Sequence, residues 1–362
     1  MIINKQHIIS ALLGVGIAAL LIWGWDDKPK TQYWHNEGKV FGTYYNIRYS
    51  STEDLEPAIR TAFTSFDNSL SLFNPHSILS AINDNRDTTT NEAFEAMWQE
   101  AERVYALSGG AFDITVAPLV NYWGFGTKKP TPCTLVGATL PAAPAVRSAK
   151  SRHFSTLKGR EVDSLRAFVG FDKVKLMDHK VVKTDPRVQI DGGAVAKGQA
   201  CDMIARVLRE NGCENWLVDI GGEVVAHGVN AKGEPWHIGI TKPNLNNEGA
   251  QDALQEILPV TDICMATSGN YRNYYYDGEA RRSHTIDPRS GWPVQHSVLS
   301  ATVVSSTCMR ADALATACMV LGEREALEMM ARAEDAACYL LVAKNDSLVA
   351  VTSPNWAKMI TK

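Results

Sequence analysis

The sequence predicts an α+β protein. Mixed, largely antiparallel sheets with packed helices follow one N-terminal membrane-anchor helix. Three observations carry this reading. Strand-type and helix-type segments interleave without the strict alternation of a doubly wound fold. Hairpin signals recur: an aromatic run at 271–276 closes on Asp277-Gly278, and residues 338–343 and 348–351 pair as a final hairpin. Residues 8–25 form an uncharged, mostly apolar run, preceded by Lys5 and followed by Asp26-Asp27.

That run is marginal but adequate to span a bilayer. The basic side would stay in the cytoplasm and the chain after Asp26 would be exported. A cleaved signal peptide is the competing reading. No good small-x-small site follows the run, and Trp23 and Trp25 resemble an interfacial belt, so an uncleaved anchor is expected. Residues 26–38, polar with one proline, read as a juxtamembrane linker, which leaves 39–362 for one large domain. Its 45% apolar and 21% charged residues (both over the full chain) are ordinary for a globular protein. A net charge of −4 without a basic run excludes general nucleic-acid binding. Seven cysteines include no C-x-x-C pair, so a zinc site is not expected and buried small hydrophobes are.

In chain order, residues 40–49 alternate as a first strand, and 54–70 carry the apolar spacing of an amphipathic helix. A second helix spans 91–108, with Thr89 and Glu92 as a capping box and Gly109-Gly110 as its stop. Asp113 then stands between apolar neighbours, as a ligand contact or as a turn residue. Residues 127–150, rich in Pro, Ala and Thr, read as an exposed insertion. Residues 161–169 read as a short helix, and 173–176 with 181–184 as a short hairpin. A strand ending at Asp191 meets Gly192-Gly193 and a helix running to about Asn211. Strand, glycine turn and helix start expose free amides at a positive dipole end, with Lys197 one turn in; this is a phosphate site or a plain tight turn. Strands follow at 216–220, 223–226, 236–240 and 299–305. A helix runs over 309–321, capped by Ser306 or Thr307, and 326–333 is helical.

The chemistry concentrates in 283–316. His284 precedes an Asp287-Pro288 turn that ends in Gly291. Asp312 and Thr316, four apart on a helix, share one face and offer two oxygens to a hard cation such as Mg²⁺. A metal and a titratable base for a phosphate ester is the reading that these residues support. For His284 a hydrogen-bonded turn histidine is the structural alternative, and for Asp312 a carboxylate in a helix's first turn.

Together the motifs resemble the ApbE-like FAD:protein FMN transferases. The matching stretches are 41–45; 72–74 with Ser77 and Asn83; 108–113; 123–126; 191–198; 219–222; 236–240; 268–271; and both halves of 283–316. The resemblance implies an ApbE-type flavin transferase fold with FAD as substrate and Mg²⁺ as metal. FMN would pass to a threonine or serine of an acceptor flavoprotein, such as a subunit of a membrane redox complex, with release of AMP. An Mg²⁺-dependent FAD pyrophosphatase and a non-catalytic FAD-binding protein are the alternatives. By resemblance, Asp312 and Thr316 are side-chain metal ligands, and Ala194 contacts the metal through its carbonyl. Ala315 occupies a position that contacts metal in some members, although its side chain cannot ligate. His284 matches the residue that activates the acceptor hydroxyl. Flavin or nucleotide contacts fall on Phe41, Phe73, Ala111, Phe112, Asp113, Asp191, Lys197 and Ile286. Many members have tyrosine where Phe73 stands, and His-His where this chain has Ser283-His284. Asp287 is a candidate to orient His284. The anchor places the catalytic domain on the periplasmic side of the inner membrane.

Overall fold

The computed structural model describes residues 31–127, 151–243, 254–270, 274–277, 280–345 and 347–361. The anchor expected at 8–25 lies outside these, as do nearly all of the 127–150 insertion and the polar loop at 244–249. Among the described residues no helix is long and apolar enough to cross a membrane.

The frame is one eight-stranded sheet whose strands lie side by side in chain order. They are β1 (Gln32–Val40), β2 (Thr43–Ser51), β3 (Trp216–Ile220), β4 (Glu223–His227), β5 (Ile263–Gly269), β6 (Val298–Ser305), β7 (Ala337–Lys344) and β8 (Ser347–Thr352). Every neighbouring pair is antiparallel. The fold class expected from the sequence is therefore present, in a simpler order than interleaving suggested.

Helices enter as insertions between strands. The β2–β3 connection holds α1 (Glu56–Leu70), α2 (Ile78–Asn83), α3 (Glu92–Ser108), α4 (Ala117–Tyr122), α5 (Ser151–Arg166) and α6 (Ala196–Glu210). The β6–β7 connection holds α7 (Cys308–Met330), broken at Gly322, and the chain closes with α8 (Trp356–Ile360). Strand alternation sends Val218, Ile220, Val225 and Ala266 to a core shared with α1, α3, α6 and α7. The opposite face, with Val224, Met265 and Leu341, is covered by a hairpin of Trp236–Thr241 with Leu254–Val260 and by Trp356 of α8.

Four local expectations change or are resolved. The linker assigned to 26–38 overlaps β1, which pairs along its whole length with β2. As an edge strand it is mostly exposed, so its polar residues hid the alternation. Asn91, not a box of Thr89 and Glu92, caps α3: its side chain accepts from Phe94 N at 3.0 Å. The short helix at 161–169 is the C-terminal part of the longer α5. At α7, Thr307 rather than Ser306 caps the helix, accepting from Arg310 N at 3.2 Å. The six described cysteines are all free thiols, five of them buried.

Candidate active site

On the helix side of the sheet, a cavity of about 370 Å³ gathers residues from five separate stretches of the chain. Its walls include Ala111, Phe112, Asp113, Asp191, Ala194, Lys197, His284, Ile286, Asp312 and Thr316.

The first wall is the loop after α3. Asp113 is buried, and its Oδ1 accepts from Thr115 N and Thr115 Oγ1, each at 2.7 Å. Asp113 is thus a turn residue and a wall residue at once. Burial pushes its carboxyl up to about 6, against those two bonds. This loop is tied to the next wall where Asp191 N donates to Ile114 O at 2.6 Å.

The second wall is the glycine turn before α6. The strand expected to end at Asp191 is only an isolated bridge between Gln189 and Val116. Asn83 holds this extended segment, donating to Ile190 O at 2.8 Å and accepting from Ile190 N at 2.7 Å. The free amides expected here are largely taken. Gly193 N donates to Asp191 Oδ1 at 2.8 Å, and Val195 N and Ala196 N both donate to Gly192 O. Gly198 N donates to Asp312 Oδ2 at 3.0 Å. The positive element of this turn is therefore the Lys197 side chain rather than an open amide nest.

Lys197 Nζ pairs at 2.5 Å with Glu223 Oε1. Glu223 is only 1% exposed, and among the described residues its Oε2 has no hydrogen-bond partner. The β3–β4 turn explains its position. Gly221 and Gly222 both take positive φ, so the hairpin turns tightly and starts β4 with Glu223 on the helix side, two residues from Val225. Asp312, 2% exposed, faces the same lysine. Burial opposes the Lys197 charge, but Asp312 and Glu223 outweigh it and hold the ammonium above the ordinary lysine range. Burial raises both Glu223 and Asp312, and Lys197 offsets it only in part. Two buried carboxylates thus face one ammonium. Sequence reasoning passed over Glu223; a charge opening an otherwise apolar strand, Glu223-Val224-Val225-Ala226, was the available signal.

The third wall is α7, where Asp312, Thr316, Met319 and Val320 share one face. Thr316 Oγ1 hydrogen-bonds Ser268 Oγ of β5 at 3.1 Å. The fourth wall carries half-buried His284, whose ring meets Phe125 edge-on at 6.2 Å. Ile286 and Trp292 pack against Trp123 and Val162, and Trp123 Nε1 donates to Gly291 O at 2.9 Å, which fixes this segment. Asp287 instead accepts from Arg289 N, Nε and Nη2 at 2.9 to 3.0 Å, which makes it a turn and ion-pair residue.

Three residues stand apart. Phe41 packs on Phe63 and Phe66, with ring centroids 5.7 and 5.3 Å away. Phe73 is 76% exposed. Ala315 is fully buried in the core. None of the three lines the cavity.

The residues present fit a hard divalent cation. Asp312 and Thr316 supply a carboxylate and a hydroxyl, and Ala194 adds a backbone stretch on the same cavity. Beside them Glu223 Oε2 is a buried oxygen with no hydrogen-bond partner among the described residues.

Fold and cleft define an antiparallel α+β protein with an oxygen-donor site, a lysine and a histidine on one cavity. The chain belongs to the ApbE family, whose pattern matches residues 41–340. It is 33% identical over 360 residues to the FAD:protein FMN transferase of Vibrio cholerae, covering 96% of this chain and 98% of that protein. The namesake from Haemophilus influenzae is 31% identical, covering 98% of each. In structure it resembles the flavin transferase ApbE from Vibrio cholerae, with TM-score 0.75 and 31% identity, over 91% of this chain and all of that one. The apo form of the Pseudomonas stutzeri flavinyl transferase ApbE gives TM-score 0.74 and 25% identity, over 92% and 98%.

Proposed function

We propose that this protein transfers FMN from FAD to a threonine or serine hydroxyl of an acceptor protein, releasing AMP. The observation that carries the reading is the convergence of His284, Lys197 and the Asp312–Thr316 pair on one cavity, in a chain of the ApbE family. In the reaction the bond between the FMN phosphorus and the bridging oxygen of FAD breaks, and that oxygen leaves with AMP. An O–P bond forms between the acceptor oxygen and the FMN phosphorus.

His284 takes the proton of the acceptor hydroxyl as a general base. Lys197 lies against the phosphates and offsets the charge that builds on the departing AMP oxygen. Asp312 and Thr316, with the Ala194 carbonyl, would hold Mg²⁺. When bound, Mg²⁺ supplies Lewis-acid neutralisation of the pyrophosphate. Phe112 and Ile286 supply apolar walls that exclude water. Asp113 and Asp191, at the cavity wall, accept hydrogen bonds from flavin or adenine donors.

The apolar run at 8–25 supports a membrane anchor, with the catalytic domain on the periplasmic side of the inner membrane. An acceptor in the same membrane, a flavoprotein subunit of a redox complex, fits that placement. The test incubates the full-length protein with FAD, Mg²⁺ and such an acceptor subunit and measures intact mass. A gain of one FMN phosphoester with matching AMP is expected. FMN and AMP without the adduct would replace the reading by hydrolysis, and unchanged FAD would refute it.

A further inference from the structure

Side chains at 264, 266 and 268 of β5 alternate onto the helix side of the sheet. Cys264 and Ala266 pack into the core beneath α7. The third position breaks the apolar run: Ser268 reaches the cavity and meets Thr316 Oγ1 at 3.1 Å. A threonine within a helix usually gives its proton to the carbonyl four residues back. Among the described residues Thr316 does not; its hydroxyl hydrogen-bonds Ser268.

A hydroxyl that ligates a cation must turn a lone pair to the metal and send its proton elsewhere. We propose that Ser268 is a positioning residue of the cation site: its Oγ accepts the Thr316 proton and thereby aims a Thr316 lone pair at the metal. The Ser268 proton then points into the cavity, toward an anionic oxygen of the substrate. This inference rests on the cation site of the proposed function, and the experiment separates the two.

Mn²⁺ binding to the full-length protein is followed by the electron paramagnetic resonance of the free ion. Asp312→Ala and Thr316→Ala test the site itself. Ser268→Ala tests the inference, with its melting temperature as the folding control. Ser268→Ala is expected to bind Mn²⁺ roughly tenfold more weakly at an unchanged melting temperature. Ser268→Thr, which keeps a hydroxyl, is expected to bind as the parent does. The Ser268→Ala, Thr316→Ala double variant should be no weaker than Thr316→Ala alone, because Ser268 acts only through that hydroxyl. Full Mn²⁺ affinity in Ser268→Ala alongside weakened Asp312→Ala and Thr316→Ala overturns the inference and leaves the site standing. A Ser268→Thr chain as weak as Ser268→Ala also overturns it, since packing would then be the cause. Unchanged affinity in Asp312→Ala and Thr316→Ala removes the cation site and this inference with it.

Discussion

His284 is held by its segment rather than by its own helix or strand. The Trp123–Gly291 bond and the packing of Ile286 fix the backbone around it, and the ring meets the cavity. Replacing it removes the base but leaves the segment that carries it in place. His284→Ala is expected to lower the transfer rate at least 100-fold with FAD affinity retained, measured by intact-mass kinetics and flavin fluorescence titration. Loss of FAD binding would remove the base assignment. Asp113 offers a pH test. Its folded value is near 6 and an unfolded aspartate titrates near 4, so the folded chain binds this proton more readily between the two. Falling pH through that window therefore relieves a penalty that burial imposes on the ionised group, on the order of 2–3 kcal/mol. Asp113→Asn lacks this titration. Its stability relative to the parent should fall by about that amount from pH 8 to pH 4 in urea unfolding, and parallel pH curves would contradict it.

At the scale of elements, the site depends on how closely α6 and α7 approach. Gly198 lies where a Cβ would stand 2.3 Å from the Cys308 carbonyl oxygen and 2.8 Å from Met309 N. Asp202 of α6 reinforces the junction, accepting from Cys308 N at 2.9 Å and Met309 N at 2.8 Å, at the start of α7. The clashing atoms are backbone, so no side chain can swing aside. Gly198→Ala is expected to cost roughly 2–3 kcal/mol in denaturant unfolding by forcing the helices apart. It should also weaken Mn²⁺ binding, because Asp312 rides on α7 and bonds Gly198 N. An unchanged unfolding midpoint would show that the helix pair absorbs a methyl group.

At the scale of the molecule, the cavity is built where insertions into one sheet meet. The loop after α3 and the α6 turn come from the β2–β3 connection, His284 from the β5–β6 connection, and Asp312 from the β6–β7 connection. A ligand that touches all of them ties separate parts of the chain together. FAD at 100 times its dissociation constant, without Mg²⁺, should add about 2.7 kcal/mol to stability and raise the melting temperature by a few degrees. The same rise should appear in His284→Ala and shrink in a Lys197→Ala variant. A shift absent from the parent would argue against FAD as the ligand of this cavity.

Elements with strong local signals were legible in the sequence. The amphipathic periodicity of α1 and α3, the β7–β8 hairpin and the Asp312–Thr316 spacing need only neighbours in the chain to be read. So was the membership of Asp191, Lys197, His284 and Asp312 in one site, through motifs that are local strings. What only the tertiary structure decided depends on groups far apart in sequence. β1 is a strand because β2 pairs with it, although its exposed residues carry no alternation. The amides of the glycine turn are not an open nest, because Asp191, Gly192 and Asp312 already occupy them. Glu223 becomes the partner of Lys197 only when the β3–β4 turn sets it under α6, 26 residues away in the chain. Periodicity records which face a residue takes. Pairing energies between distant groups leave no periodic trace, so the charge balance of the site belongs to the folded molecule.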